Sequence, residues 1–91
     1  MAAEVRLPTV LRQYAGGQSS FTANGSTVGE VFEDAVRQFP LLAGHLVAED
    51  GKLHRFVNVY RNDEDVRYLD KLATPVGDSD VISVLPAVAG G

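Results

Sequence analysis

The chain contains no cysteine. Disulfide bonds are therefore excluded, and no thiol can serve as a nucleophile or as a zinc ligand. Stability must come from packing alone, and 91 residues are enough for one hydrophobic core but too few for a second. The sequence therefore predicts a single domain.

Positive charge is also scarce, with 8 Lys and Arg residues against 12 Asp and Glu residues and a net charge of −4. This balance disfavours nucleic acid or an anionic membrane as a partner and fits a mildly basic partner surface better. No apolar stretch approaches membrane length, and the N-terminus lacks the basic segment, apolar run and cleavage site of a signal peptide. We expect no membrane association and a cytoplasmic location.

The sequence also lacks the usual signs of catalysis and metal binding. No phosphate-binding Gly-rich loop is followed by lysine, and no serine or threonine has a recognisable nucleophile setting. His45 and His54 are the only histidines, and we interpret both as structural or solvated. Residues 62–65 resemble the start of a calcium loop but lack its distal glutamate, so a solvated turn is predicted. We expect a protein that is not an enzyme and binds no cofactor itself.

The first half of the chain predicts a hairpin. Residues 4–10 alternate in the manner of a half-buried strand. Pro8 cannot donate to a sheet, so it is expected where the strand pairs on one side only or at a bulge. Gly16 and Gly17 mark a turn, and residues 18–23 run back antiparallel, with Phe21 as their main apolar contribution.

A long amphipathic helix is predicted next. Thr27 and Glu30 form a capping box that would satisfy backbone donors at its start. Glu33 and Arg37 are spaced for a favourable ion pair, and Pro40 ends the helix. Its apolar residues recur at helical spacing on one face; they are Val28, Val31, Phe32, Ala35, Val36 and Phe39.

The second half predicts three more strands. Residues 55–61 alternate cleanly, residues 66–68 are expected as a short edge strand, and residues 81–85 form the last strand. Residues 69–74 are predicted to be irregular, with Leu72 as an anchor. A single amphipathic helix must cover its apolar face, so the sequence predicts an α+β fold in which a mixed sheet of four to five strands holds it. The matching sheet face is predicted to consist of Val5, Leu7, Val57, Val59, Ile82 and Val84.

The C-terminal residues form the candidate reactive segment. Residues 1–86 are predicted as the domain and residues 87–91 (AVAGG) as a flexible tail. A glycine pair has no Cβ, so Gly90 and Gly91 can pass through a narrow channel and present a free carboxylate. An unstructured end or a cloning remnant is the alternative interpretation.

A second candidate site is the sheet face opposite the helix. Several large side chains are expected there beside the tail, and exposed apolar groups of that kind mark partner surfaces. Packing under a loop is the alternative. The predicted partner-binding surface comprises Pro8, Phe56, Tyr60, Arg61 and Leu85, with Arg6 at its fringe.

Three segments together resemble a known family. They are residues 53–60 (LHRFVNVY), 62–67 (NDEDVR) and 85–91 (LPAVAGG). The chain is similar to the β-grasp sulfur-carrier proteins of the MoaD and ThiS group, prokaryotic relatives of ubiquitin. Within that group it is most similar to the carriers of actinobacterial cysteine biosynthesis.

The resemblance implies both the reaction and the partners. An E1-like enzyme would use ATP to adenylate Gly91, whose carboxylate would become a thiocarboxylate and donate sulfur. Residues 87–91, with Ala87, Val88, Ala89 and Gly90 leading to Gly91, would enter the active site of the partner. The implied acceptors are a PLP-dependent cysteine synthase, followed by a metal-dependent peptidase, or a thiosugar or natural-product synthase.

Three alternatives remain open at this point. The chain could be a MoaD-type small subunit of molybdopterin synthase, in a fixed complex with a large catalytic subunit. It could be a ubiquitin-like modifier conjugated to proteins through Gly91. It could also be an interaction module whose tail is inert.

Overall fold

The computed structural model describes residues 2–48, 50–54 and 57–86. Their regular elements are five strands and two α-helices: β1 (Ala2–Arg6), α1 (Thr9–Arg12), β2 (Ser20–Asn24), α2 (Val28–Gln38), β3 (Val57–Arg61), β4 (Glu64–Asp65) and β5 (Val81–Pro86). Short 3₁₀ helices occur at Gln13–Ala15, Pro40–Leu42, Val66–Tyr68 and Lys71–Ala73. None of the helices in these ranges is long and apolar enough to cross a membrane.

The five strands form one mixed sheet in the order β2-β1-β5-β3-β4. β1 and β5 are parallel, and the other pairs are antiparallel. Val5 of β1 lies opposite Phe21 of β2 and Ile82 of β5, so these three side chains share one face of the sheet. β5 therefore has a neighbouring strand on each side.

The core lies between this face and α2. All six residues predicted for the sheet face are buried, as are Val28, Val31, Phe32 and Ala35 of the helix. Val36 and Phe39 are partly buried against the same cluster. The predicted α+β arrangement of one long helix held by a sheet is confirmed.

The start of α2 follows the predicted capping box. The backbone N–H of Glu30 donates to Thr27 Oγ1 at 3.2 Å, and Glu30 Oε1 accepts from the backbone N–H of Ser26 at 2.8 Å. The glutamate thus reaches one residue beyond the cap. The last helical residue is Gln38, two positions before Pro40, as expected from the restriction that proline places on its predecessor.

The predicted ion pair on α2 is wrong in its partner. Arg37 Nη1 lies 3.2 Å from Asp34 Oδ1 and not beside Glu33. The backbone N–H of Asn24 already holds the Asp34 carboxylate in place. Pairing with Arg37 therefore costs little further side-chain entropy at Asp34.

The predicted first strand is wrong beyond Arg6. Pro8 has an extended backbone, with φ −70° and ψ 161°, immediately before α1, where its missing N–H costs nothing. It lies outside the sheet, so neither one-sided pairing nor a bulge is needed. Leu7, Leu11 and Ala15 are buried at the four-residue spacing of a helix. The antiparallel pairing of β1 with β2 is confirmed, but the connection between them is helical.

The predicted edge strand is displaced. β4 consists of Glu64–Asp65 opposite Tyr60 and Arg61, whereas residues 66–68 form a 3₁₀ helix. The Asp65 carboxylate accepts the backbone N–H of Arg67 at 2.9 Å, which favours a turn over a continued strand. Leu72 is partly buried against the core, so its predicted role as an anchor is confirmed.

β5 ends at Pro86, where the domain is predicted to end. The predicted tail, residues 87–91, lies outside the described residues. The division into domain and tail therefore stays a prediction.

Candidate partner-docking site

A groove of about 430 Å³ lies where β1 and β5 separate. Arg6 is the last residue of β1 and lies opposite Ser83, whereas β5 continues to Pro86. Beyond Ser83, the side of β5 that faced β1 is flanked by the turn into α1. The lining residues are Arg6, Leu7, Pro8, Thr9, Val10, Arg12, Ser83, Val84, Leu85 and Pro86.

The walls of this groove expose large apolar side chains. Val10 is 60% exposed and Leu85 is 46% exposed, one on each wall. Pro8 is half-buried between them. Apolar exposure gathered around a concavity is typical of a surface that binds another protein.

Two guanidinium groups belong to the same groove. Arg12 Nε donates to the backbone oxygen of Leu7 at 3.2 Å, which holds the side chain against the turn into α1. Arg6 Nε donates to Glu4 Oε2 at 2.5 Å. Glu4 balances the charge of Arg6, whereas among the described residues Arg12 has no acidic partner, so Arg12 supplies the positive charge of the groove.

The five predicted partner-binding residues are not all together. Pro8 and Leu85 line the groove. Tyr60 is half-buried and lies opposite Ser83, on the same face of the sheet as Leu85 but outside the groove. Phe56 lies outside the described residues.

Arg61 is placed elsewhere. It lies opposite Ile82 and therefore belongs to the core side of the sheet, at its end. Its Nη1 donates to the backbone oxygen of Pro75 at 3.0 Å, and its Nη2 lies 3.4 Å from Glu64 Oε1. The expectation that Arg61 lies on the face opposite the helix is therefore wrong, because the alternation of β3 places it with Val57 and Val59.

A smaller concavity of about 160 Å³ adjoins the groove and shares Pro8, Val10 and Pro86 with it. Both histidines line it. The ring of His45 stacks on that of Tyr14 with centroids 4.2 Å apart and planes 18° apart, so His45 acts in packing. Within the described residues, no three His, Asp or Glu side chains are grouped as metal ligands.

Sequence reasoning missed Val10 and Arg12 as groove residues because it assigned residues 4–10 to a strand. The spacing of Leu7, Leu11 and Ala15 was the available signal. It predicts a helical turn after Pro8, and such a turn places Val10 and Arg12 away from its buried side.

Comparisons with known proteins identify the family. The model of the ThiS family matches residues 5–91. The sulfur carrier protein CysO of Mycobacterium tuberculosis is 47% identical across the full length of both chains. CysO in the crystal structure of the Amycolatopsis orientalis BexX/CysO complex is 47% identical with a TM-score of 0.89, over 98% of this chain and 99% of that one. Small archaeal modifier protein 3 of Haloferax volcanii is 38% identical over the full length of both chains.

The chain therefore belongs to the ThiS family of β-grasp proteins. Its function is that of a sulfur carrier, as the full-length similarity to CysO proteins indicates. The predicted family, the ubiquitin-like β-grasp fold and the sulfur-carrier class are confirmed. The A. orientalis CysO was solved in complex with a second protein, BexX.

Proposed function

We propose that this chain is a cosubstrate whose terminal carboxylate, on Gly91, is activated and sulfurated by a partner. The full-length identity of 47% to a sulfur carrier supports this most strongly. The family match extends through residue 91 and so includes both glycines. The chain itself supplies no catalytic group and binds no cofactor, and an E1-like enzyme binds and uses the ATP.

The chemistry proceeds in two substitutions. A carboxylate oxygen of Gly91 attacks the α-phosphorus of ATP, and pyrophosphate leaves. Hydrosulfide then attacks the carbonyl carbon of the mixed anhydride, AMP leaves and one proton is released. The resulting thiocarboxylate is an anionic nucleophile at neutral pH. Because the chain has no cysteine, it offers no thiol that could capture the activated carbonyl.

The position of β5 suits this role. Neighbouring strands hold it on both sides, and its last residue, Pro86, lies opposite Val57. The five residues 87–91 span at most about 18 Å when extended. Docking close to Pro86 would therefore allow Gly91 to reach the active site of a partner.

The groove beside Pro86 is the proposed docking surface. Pro8, Val10 and Leu85 supply apolar contacts, and Arg12 suits an acidic group of the E1-like partner. Tyr60, on the same face of the sheet, would extend the contact. Arg61 lies on the core side of the sheet and Phe56 lies outside the described residues, so neither is included in the proposed docking surface.

Sulfur transfer to a PLP-dependent cysteine synthase, with release of cysteine by a metal-dependent peptidase, is the acceptor route that similarity to CysO favours. A thiosugar or natural-product synthase, or the large subunit of molybdopterin synthase, would use the same thiocarboxylate.

The second candidate function is conjugation to proteins through Gly91. The similarity to small archaeal modifier protein 3, at 38% identity, favours it specifically. Conjugation would use the same adenylate but would end in an amide bond to a lysine side chain.

Intact-protein mass spectrometry of the chain from its native host tests the proposal. We expect a species whose mass corresponds to Gly91 at the terminus with one oxygen replaced by sulfur. Conjugates to other proteins, without that species, would establish the modifier instead. A terminus that stays an ordinary carboxylate when the E1-like enzyme, ATP and sulfide are supplied would refute the proposed sulfuration of Gly91.

A substitution tests the docking surface separately. Leu85→Asp should raise the KM of the activating enzyme for this chain by about tenfold, the effect of losing one well-placed apolar contact, with kcat nearly unchanged. Tyr68→Asp is the control, because Tyr68 is 86% exposed and does not line the groove. Equal effects of the two substitutions would show that the partner docks elsewhere.

A further inference from the structure

β2 occupies an outer position in the sheet and, within the residues that the structure describes, pairs only with β1. In an antiparallel pair, alternate residues direct their backbone N–H and C=O groups away from the neighbouring strand. Thr22 and Asn24 belong to one alternate set, opposite Glu4 and Ala2. A free edge of this kind is a ready template for pairing with another strand.

Side chains of α2 occupy this edge. Asp34 Oδ2 accepts the backbone N–H of Asn24 at 3.0 Å, and Gln38 Nε2 donates to the backbone oxygen of Thr22 at 2.9 Å. The two side chains also bind each other, since Gln38 Nε2 donates to Asp34 Oδ2 at 2.9 Å. One turn earlier, Glu30 Oε1 accepts the backbone N–H of Ser26.

The spacing of these contacts explains how one helix can serve two successive outward positions of β2. Glu30, Asp34 and Gln38 are four residues apart, which is about 6 Å along a helix. Their backbone partners are at positions 26, 24 and 22. Asn24 and Thr22 are two residues apart in β2, which is about 6.6 Å along a strand, whereas Ser26 lies beyond the end of β2 and its backbone oxygen accepts the N–H of Val76. The helix runs antiparallel to β2, and it offers an acceptor to each N–H and a donor to the carbonyl oxygen.

The Asp34 carboxylate keeps its negative charge. The backbone N–H of Asn24, followed by the Gln38 amide, holds the pKa of Asp34 below its usual value. Arg37 Nη1 donates to the other carboxylate oxygen at 3.2 Å. The carboxylate therefore stays ionised at neutral pH, and a fixed charge at a strand edge opposes the approach of another strand.

We infer that the stripe formed by Asp34 and Gln38 on α2 stands in for a sixth strand and closes the β2 edge against pairing with a second copy of this chain. Without the stripe, two β2 strands can pair antiparallel about a twofold axis, which is the symmetry that identical edges favour. With it, the chain stays monomeric. No residue of β2 lines the docking groove, and the inference stands independently of sulfur transfer.

Removal of the two side chains that bind β2 tests this inference. The double variant Asp34→Ala/Gln38→Ala opens the Asn24 N–H and the Thr22 oxygen together. We expect sedimentation velocity over a concentration series to show a monomer–dimer equilibrium for this variant and a monomer for the unaltered chain. Glu33→Ala is the control, because it changes the net charge equally and lies on the same helix.

A cross-linking experiment locates the contact. Since the chain has no cysteine, Thr22→Cys introduces a single thiol, and paired β2 strands would bring two such residues within disulfide range. Thr22→Cys is introduced both into the double variant and into the otherwise unaltered chain. Oxidative cross-linking should be several-fold greater in the first of these proteins than in the second. If the double variant does not fold, Gln38→Ala alone carries the same comparison. A folded variant that stays monomeric and cross-links no faster than the reference overturns the inference, as does equal association of Glu33→Ala.

Discussion

Replacing Phe32 by alanine is expected to lower the free energy of unfolding by about 3–5 kcal/mol. Phe32 is the largest fully buried side chain among the described residues and lies on the core side of α2. Alanine would remove the ring contacts and leave a cavity that close-packed neighbours fill only in part. Domains of this size are stable by only about 5–15 kcal/mol, so the substitution would remove a large part of the stability.

Urea denaturation followed by far-UV circular dichroism measures this change. The midpoint should fall while the m-value stays constant, because the surface exposed on unfolding hardly changes. Tyr68→Ala removes another aromatic ring, but from a site that is 86% exposed, and should change the stability by less than about 0.5 kcal/mol. Similar midpoints for the two variants would contradict the placement of Phe32 at the centre of the core.

Helix α2 could be predicted from the sequence because several independent signals agree. Thr27 caps it, Pro40 follows it, and the apolar spacing between them fits only a helix over that length. Residues 4–10 gave no such agreement. Seven residues can match the period of a strand and that of a helix, and only the position of Pro8 outside the sheet decides between them. The sequence analysis interpreted these residues as an alternating strand and therefore did not predict α1.

The candidate site was predictable in part for a related reason. Gly90, Gly91 and the two stretches 53–60 and 62–67 identify the family by residue type alone. The groove depends instead on the separation of β1 from β5 after Ser83, which is a tertiary feature. Leu85 could therefore be proposed as a partner contact, whereas Arg12 could not, since its position follows from α1.

The hydrogen bonds that Asp34 and Gln38 make with β2 could not be predicted from the sequence either. From the sequence, Asp34 and Gln38 belong to the side of the helix that avoids the core, and solvent is the simplest partner for them. Their hydrogen bonds to β2 depend on the strand lying beside the helix at a matching spacing. Periodicity can show which residues are not in the core, but it cannot show what they bind.

Deleting Gly91 is expected to lower the rate of thiocarboxylate formation by at least about 100-fold. One residue fewer draws the terminal carboxylate back by about 3.3–3.6 Å, and a misplacement of about 1 Å already costs a catalysed reaction about 100-fold. The docking groove is untouched, so the loss should fall on kcat, whereas Leu85→Asp should act on KM.

A time course of intact-protein mass spectra, with the activating enzyme, ATP and sulfide, measures this rate directly. Ala89→Gly is the matched control, because it alters the tail without changing its length, and it should retain most of the rate. The comparison tests the length of the tail, because the five residues after Pro86 must place the terminal carboxylate at a fixed distance from the docked domain. Activation of the shortened chain at the rate of the control would mean that the partner adjusts to the tail, and the assignment of Gly91 as the reacting residue would then be wrong.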